Sequence, residues 1–413
     1  MRRARIGSVA AAVSSAALLA AGAWAQTAKE ETVLGRPRPD YSPIGIEIGG
    51  GGLFTLYPKV TVGAIFDDNV YREEHDANSD FAALVQPELH LESDWDAHAL
   101  GVGAVATIVR HDDETSADYE DWSGYADGRL DISEDVSASG FAEWARLHED
   151  RGDPSSVGPG QDSVQYDRFT RRLALDYQGS PIFGRVSGEW ATLDYHDGNG
   201  FNYDDRDYDQ YEARVRVGTE VTPSVSLFLE PGYNWRVYDG LDDMGFDRDS
   251  HGYDLRLGAT YDVTAVTFLE AFGGYFHQEY DDPRFGDTDG FAAGVEATWN
   301  PNDVTTVTGR ISRTIRETGI ARVSGIRDTG IDLRVDYEVL ENLVASAHGS
   351  LHEEHFHGIG RDDNVRTFGG GLTYFINPYF QAGLDYTFGE RNTHVDGEGY
   401  RYNAVIARLT GAI

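Results

Sequence analysis

From about Tyr57 to the C-terminus, apolar and polar side chains alternate in short runs, each ended by a break. Ile331, Leu333, Val335, Tyr337 and Val339 interleave with Asp332, Arg334, Asp336 and Glu338. Tyr253, Leu255, Leu257, Ala259 and Tyr261 interleave with Asp254, Arg256, Gly258 and Thr260. Phe380, Ala382, Leu384, Tyr386 and Phe388 interleave with Gln381, Gly383, Asp385 and Thr387. A period of two describes a strand with one apolar and one polar face. About 18 such strands are predicted, and 16 or 20 also fit the pattern.

The breaks alternate in length. Short ones at 93–96, 133–135, 178–181, 221–223, 261–264, 300–303, 341–342 and 376–378 hold the Asn, Asp, Pro, Gly and Ser of tight turns. Long ones fall at 67–79, 111–118, 150–162, 197–207, 239–249, 280–288, 317–327, 357–364 and 390–399. Short periplasmic turns and long external loops mark the antiparallel up-and-down β-barrel of an outer membrane. An even strand number leaves both termini in the periplasm. Aromatics gather near the predicted strand ends, among them Tyr57, Trp122, Trp144, Tyr195, Trp235, Trp299, Tyr374 and Tyr400, as interfacial girdles require. A propeller would show a shared blade repeat, and none is present. The predicted class is therefore all-β, a transmembrane barrel over residues 57–413.

The first residues read differently. Arg2, Arg3 and Arg5 precede an apolar stretch from Ile6 to Ala21, and Ala23-Trp24-Ala25 forms a small-x-small cleavage site. Residues 1–25 are thus a secretory signal. Residues 26–56 form a periplasmic lead-in, stiff at Pro37, Pro39 and Pro43 and loose at Gly49 to Gly52, with Ile44 to Ile48 as a short strand or plug piece.

Composition changes this picture in three ways. The 413 residues carry a formal charge of −36, which disfavours nucleic acid as a partner. The absence of Cys suits passage through an oxidising periplasm. Beyond the leader, no stretch of about 18 apolar residues offers a spanning helix.

The polar faces set Arg against Asp and Glu, which suits a wet inner wall. The candidates for the lumen are Arg172, Asp176, Glu212, Arg214, Arg216, Glu230, Arg236, Asp254, Arg256, Arg310, Asp332, Arg334, Asp336, Glu338, His348, His352, Arg366 and Asp385. For each, scaffolding competes with contact to a permeant. Barrels of 16–18 strands are wide enough for an aqueous path. The loops are acidic, as at Tyr203-Asp204-Asp205-Arg206-Asp207. No calcium-hand spacing is complete, and no metal or cofactor is assigned. His352-Glu353-Glu354-His355-Phe356-His357 departs from the zinc-protease pattern and lies on a strand, with His348 and His352 on one face and His355 and His357 on the other. No catalytic elbow or phosphate loop occurs, so the chain is read as a non-enzyme.

Two motifs resemble a known family. Gly45-Ile46-Glu47-Ile48-Gly49-Gly50, Phe54-Thr55-Leu56-Tyr57-Pro58 and Phe66-Asp67-Asp68-Asn69-Val70-Tyr71 form a first strand and an Asp-Asp-Asn loop. Ala145-Arg146-Leu147-His148-Glu149-Asp150-Arg151-Gly152-Asp153-Pro154 follows later. Together they resemble the outer-membrane β-barrel porin family type 2 of proteobacteria, over about Gly45 to Ile413. The resemblance implies an outer-membrane barrel, in many cases linked to exopolysaccharide or capsule export, and carries over no catalytic residue. One departure is the end at Ile413 in place of the usual terminal aromatic.

The function expected is a channel that exports exopolysaccharide or passes polar solutes. Its expected partners are outer-membrane lipid, lipopolysaccharide and polysaccharide-export machinery. The alternatives are a sealed barrel whose acidic loops bind cations, and an outer-membrane hydrolase.

Overall fold

The computed structural model describes residues 32–413 apart from 37, 39, 51, 52, 243, 264, 265, 317 and 321. The predicted leader, 1–25, lies outside the described residues. A three-residue strand, β1 (Ile46–Ile48), precedes eighteen long ones. These are β2 (Phe54–Asp67), β3 (Asp80–Ser93), β4 (Ala99–His111), β5 (Tyr119–Asp131), β6 (Val136–His148) and β7 (Gln165–Gln178). Then come β8 (Ile182–Tyr195), β9 (Tyr208–Thr222), β10 (Val225–Tyr238), β11 (Ser250–Val263), β12 (Thr267–Tyr280) and β13 (Thr288–Asn302). The last six are β14 (Thr305–Arg316), β15 (Gly325–Leu340), β16 (Leu343–His357), β17 (Arg361–Asn377), β18 (Phe380–Asn392) and β19 (Tyr400–Ala412).

Every strand pairs antiparallel with the next, and β19 returns to β2 from Ala404↔Asp67 to Ala412↔Lys59. The sheet is a closed 18-strand barrel, with β1 added beside the start of β2 through Ile46↔Leu56 and Ile48↔Phe54. The first barrel strand begins at Phe54, slightly before the predicted Tyr57.

The distribution of side chains is inverted relative to a water-soluble protein. Large apolar residues face outward, with Leu173 72% and Leu257 65% exposed, whereas Glu230, Asp254, Asp336, Asp363 and Arg391 are buried. An apolar outside suits acyl chains, and closure of the sheet pairs the strand backbones across the membrane. Strands of up to 17 residues exceed the ~9–11 that a tilted span needs. The surplus carries the wall beyond the bilayer on the long-loop side.

One long break proves to be tight. The stretch 357–364 was expected to be an external loop, but β16 and β17 run on to His357 and from Arg361, leaving only 358–360 between them. Arg361 folds back on Asp363, with bonds of 2.6 and 3.0 Å, so these charges stand inside the wall and not in a solvated loop.

Candidate permeation path

The inner wall at mid-height is densest over β9 to β12. Arg214 reaches Asp254 through paired bonds of 2.9 and 3.0 Å and also meets Glu212. Arg216 holds Glu270 through two bonds of 3.0 Å and also binds Glu230. Arg256 lies 2.8 Å from Asp254 and 3.4 Å from Glu230. Three guanidiniums and four carboxylates thus neutralise one another almost completely. Rings brace them from the wall side: Phe228 lies 4.0 Å under Arg216, and Phe272 lies 4.9 Å under Arg256. A Cβ at Gly258 would collide with the ring of Phe228, so glycine there lets the ring lie flat.

Other predicted residues stand on the same inward face. Arg172 binds Glu189, and Arg185 lies 3.5 Å from Asp176. Arg334 binds Asp336, and His352 bridges Asp328 at 2.8 Å and Asp332 at 3.2 Å. Asp385 meets Arg408 at 2.8 Å, and Arg236 is buried near Gln210. Arg310 is registered with Asp332, and His348 with Arg334.

Arg366 is the exception and corrects the lumen set. Its partner in register is the outward Leu351, and it shares strand parity with the exposed Phe368 and Leu372. It faces outward toward Glu390, 3.9 Å away. The physical reason is position: near the external end of β17 the outer face has left the acyl chains and tolerates charge.

The lower inner wall carries a row of rings. Tyr57 stacks on His90 at 6.5 Å, His90 on Tyr125 at 6.2 Å, and Tyr125 on Phe141 at 6.5 Å. The planes differ by only 25–26°. Arg172 caps the row 5.2 Å over Phe141. Between His90 and Tyr125, Gly103 leaves room for the tyrosine ring, which a Cβ would strike. Tyr57 and His90 lie near the periplasmic ends of β2 and β3, whereas Arg172 is mid-strand in β7. Strand tilt makes this row climb obliquely from the periplasmic rim to mid-height.

Sequence reasoning placed Tyr57 in an interfacial girdle. Its inward parity, shared with Lys59 and Thr61, was the available signal. The same parity divides the upper girdle. Trp122, Trp144, Trp190 and Trp235 are exposed on the outer face, whereas Tyr166 stacks on Tyr195 and Tyr208 on Tyr238 inside.

The chain itself enters both mouths. Outside, the loop 149–164 leaves β6 and reaches strands on the far side of the barrel. Gly152 O accepts a 3.0 Å bond from Arg391, and Asp153 lies 3.6 Å from Arg316. Arg391 also binds Glu354 at 2.9 Å and Asp363 at 2.7 Å. Arg248 ties a second loop down through Thr318 O at 2.8 Å and Ile320 O at 3.2 Å. On the periplasmic side, Val33, Arg36 and Arg38 of the lead-in lie along β14 to β17. Val33 N donates to Thr306 Oγ1 at 2.8 Å. Arg38 reaches Glu338 at 3.0 Å, Val33 O at 2.6 Å and Glu341 O at 3.2 Å, above the ring of Phe375.

One pH-responsive carboxyl lies in an external loop. Burial, reinforced by Asp194, Asp204 and Asp239, pushes the Asp207 carboxyl up to about 6, against the pull of the Tyr195 N–H. A carboxyl raised above its ordinary ~3.9 adds stability that is complete below pH ~4 and lost as pH rises through about 6. Amides of 196–207 are therefore expected to exchange more slowly at pH 5 than at pH 7.5 after correction for intrinsic rates. Asp207→Asn is expected to flatten that dependence; an unchanged dependence would assign it to other groups. Glu74, His75 and Asp396 bring ligand atoms within 4.8 Å in two neighbouring external loops and could hold a cation.

A closed barrel with an apolar exterior, a charged interior and long loops on one side is an outer-membrane porin-like channel. Residues 38–412 match the family described as "Putative beta-barrel porin 2", and the chain belongs to that family. Among solved structures it is similar to the outer membrane protein OpdK from Pseudomonas aeruginosa, at 10% identity and TM-score 0.46 over 87% of this chain and 99% of that one. Similarity extends to OpdO of the same organism, at 14% identity and TM-score 0.45 over 87% and 97%. It also includes the siderophore receptor PirA from Acinetobacter baumannii, at 7% identity and TM-score 0.47 over 87% and 80%. No curated protein sequence matches the chain. The protein resides in the outer membrane, in contact with its lipids.

Proposed function

We propose that this porin conducts a polysaccharide from the periplasm to the cell exterior. The observation that carries this reading is the oblique row Tyr57, His90, Tyr125 and Phe141, leading from the periplasmic rim to Arg172. Sugar rings present apolar C–H faces that lie flat on aromatics, while their hydroxyls exchange bonds with Arg and carboxylates. Evenly spaced weak contacts let a chain advance without being trapped. A pore for small ions has no use for such a row.

In this reading residues 1–25 are the secretory signal and 26–56 the periplasmic lead-in. The segment 32–42 then faces the export machinery that delivers the polymer. The inward charges, largely paired with one another, keep the wall wet and rigid.

Planar-bilayer recording with a neutral oligosaccharide tests the proposal. Addition from the periplasmic side is expected to interrupt the current. Each lost ring contact is worth ~0.5–1.5 kcal/mol, so Tyr125→Ala with Phe141→Ala is expected to weaken the block about tenfold. Salt conductance should not fall. A block indifferent to both rings would turn the reading toward general passage of polar solutes, as would normal surface polysaccharide in a deletion strain.

A further inference from the structure

Outward charges above the apolar band are mostly paired with one another. Arg146 holds Asp167 through bonds of 2.8 and 2.9 Å, and Arg401 meets Glu390 at 2.7 Å. Arg171 is different. On β7 it is the first outward residue above Leu173, Leu175 and Tyr177, at the boundary between acyl chains and headgroups. The boundary lies on the long-loop side and so in the outer leaflet.

Two rings hold the guanidinium, Phe169 at 3.5 Å and Trp190 at 3.8 Å. Its Nη1 is buried without a hydrogen-bond partner. The outward carboxylates nearby are already engaged. Asp167 serves Arg146 and lies 3.3 Å from His196, while Asp209 accepts from Trp190 Nε1 at 3.0 Å and Thr192 at 2.7 Å. Arg171 forms no ion pair among the described residues. A permanently charged, oriented fork at a lipid interface lacks only an anion.

We propose that Arg171 binds a phosphate of lipopolysaccharide, with Trp190 and Trp144 flanking the phosphorylated sugar. Side and depth favour this lipid, because its phosphates sit on a disaccharide at the level of the outer girdle. The partly exposed indoles of Trp144 and Trp190 beside the guanidinium suit a sugar better than a glycerol headgroup. The site lies outside the lumen and is independent of what the channel carries.

The test uses the full chain purified in detergent, titrated with bis-phosphorylated lipid A and followed by native mass spectrometry. Heat-modifiable migration on gels verifies folding of each variant. Arg171→Ala is expected to weaken binding about tenfold, the loss of one charge-assisted contact. Arg171→Lys should fall between, since it keeps charge but loses the planar stack. Dephosphorylated lipid A should bind wild type and Arg171→Ala alike, and inorganic phosphate should compete weakly. Wild-type affinity in Arg171→Ala would overturn the proposal. So would an equal loss in Arg146→Ala, or phosphatidylglycerol binding as tightly with the same dependence on Arg171. If the alanine variant fails to fold, the lysine variant and the dephosphorylated lipid still decide.

Discussion

Replacing Arg391 with alanine is expected to unlatch the loop that enters the external mouth. Its side chain is almost fully buried, as are those of its partners Glu354 and Asp363. Breaking a buried pair from one side costs ~3–5 kcal/mol, because the carboxylates stay desolvated. Arg316 and Arg361 remain beside them, which places the expected cost near the low end. The bond to Gly152 O vanishes with the side chain, and the 149–164 loop is left with the longer Asp153–Arg316 contact to the opposite wall. Limited proteolysis should then cut 149–164 at least tenfold faster, and single-channel conductance should rise. Arg391→Lys retains the charge without the two-armed reach and should lie between. A loop that stays protected in Arg391→Ala would show that other contacts hold the mouth.

The second large effect is expected at the other end. Arg38 joins the lead-in to Glu338, to Glu341 O and to its own Val33 O, and stands over Phe375. A hydrogen bond to a charged group contributes ~1.5–3 kcal/mol. Beside it, Val33 N to Thr306 Oγ1 and Arg36 to Asp303 O and Glu338 anchor the segment. In Arg38→Ala, amides of 32–42 should lose protection from exchange, and current should increase from the periplasmic side. Thermal stability of the barrel should change little, since the ladders of β14 to β17 do not involve this residue. A segment that remains protected, with conductance unaltered, would remove it as a constriction.

Both effects depend on long-range contacts, which mark the limit of what the sequence shows. Alternation made the strands legible because the pleat has a period of two and both solvents, lipid and lumen, enforce it. That same constraint weakens beyond the bilayer. Arg366 sits where either face may be polar, so alternation alone assigned it to the wrong side. Around 357–364, polar composition resembled a loop, yet the wall simply continued with Arg361 and Asp363 paired inside it. The ring row was visible only as separate residues on four strands. Register and the small Gly103 brought Tyr57, His90, Tyr125 and Phe141 into sequence. The contacts at the two mouths join residues more than two hundred positions apart, and no local pattern encodes them.

The small strand β1 has a consequence for the width of the lumen. β19 covers β2 only as far as Lys59, with Ile413 N reaching Pro58 O at 3.2 Å. Below that point, Phe54 to Leu56 would offer an open edge, which β1 occupies. If β19 slid two residues toward the periplasm, each side chain would keep its face, so alternation alone cannot forbid the move. Such a slide would alter the shear of the barrel, and with it strand tilt and radius. With β1 already paired there, that stretch of the β2 edge is not open to β19.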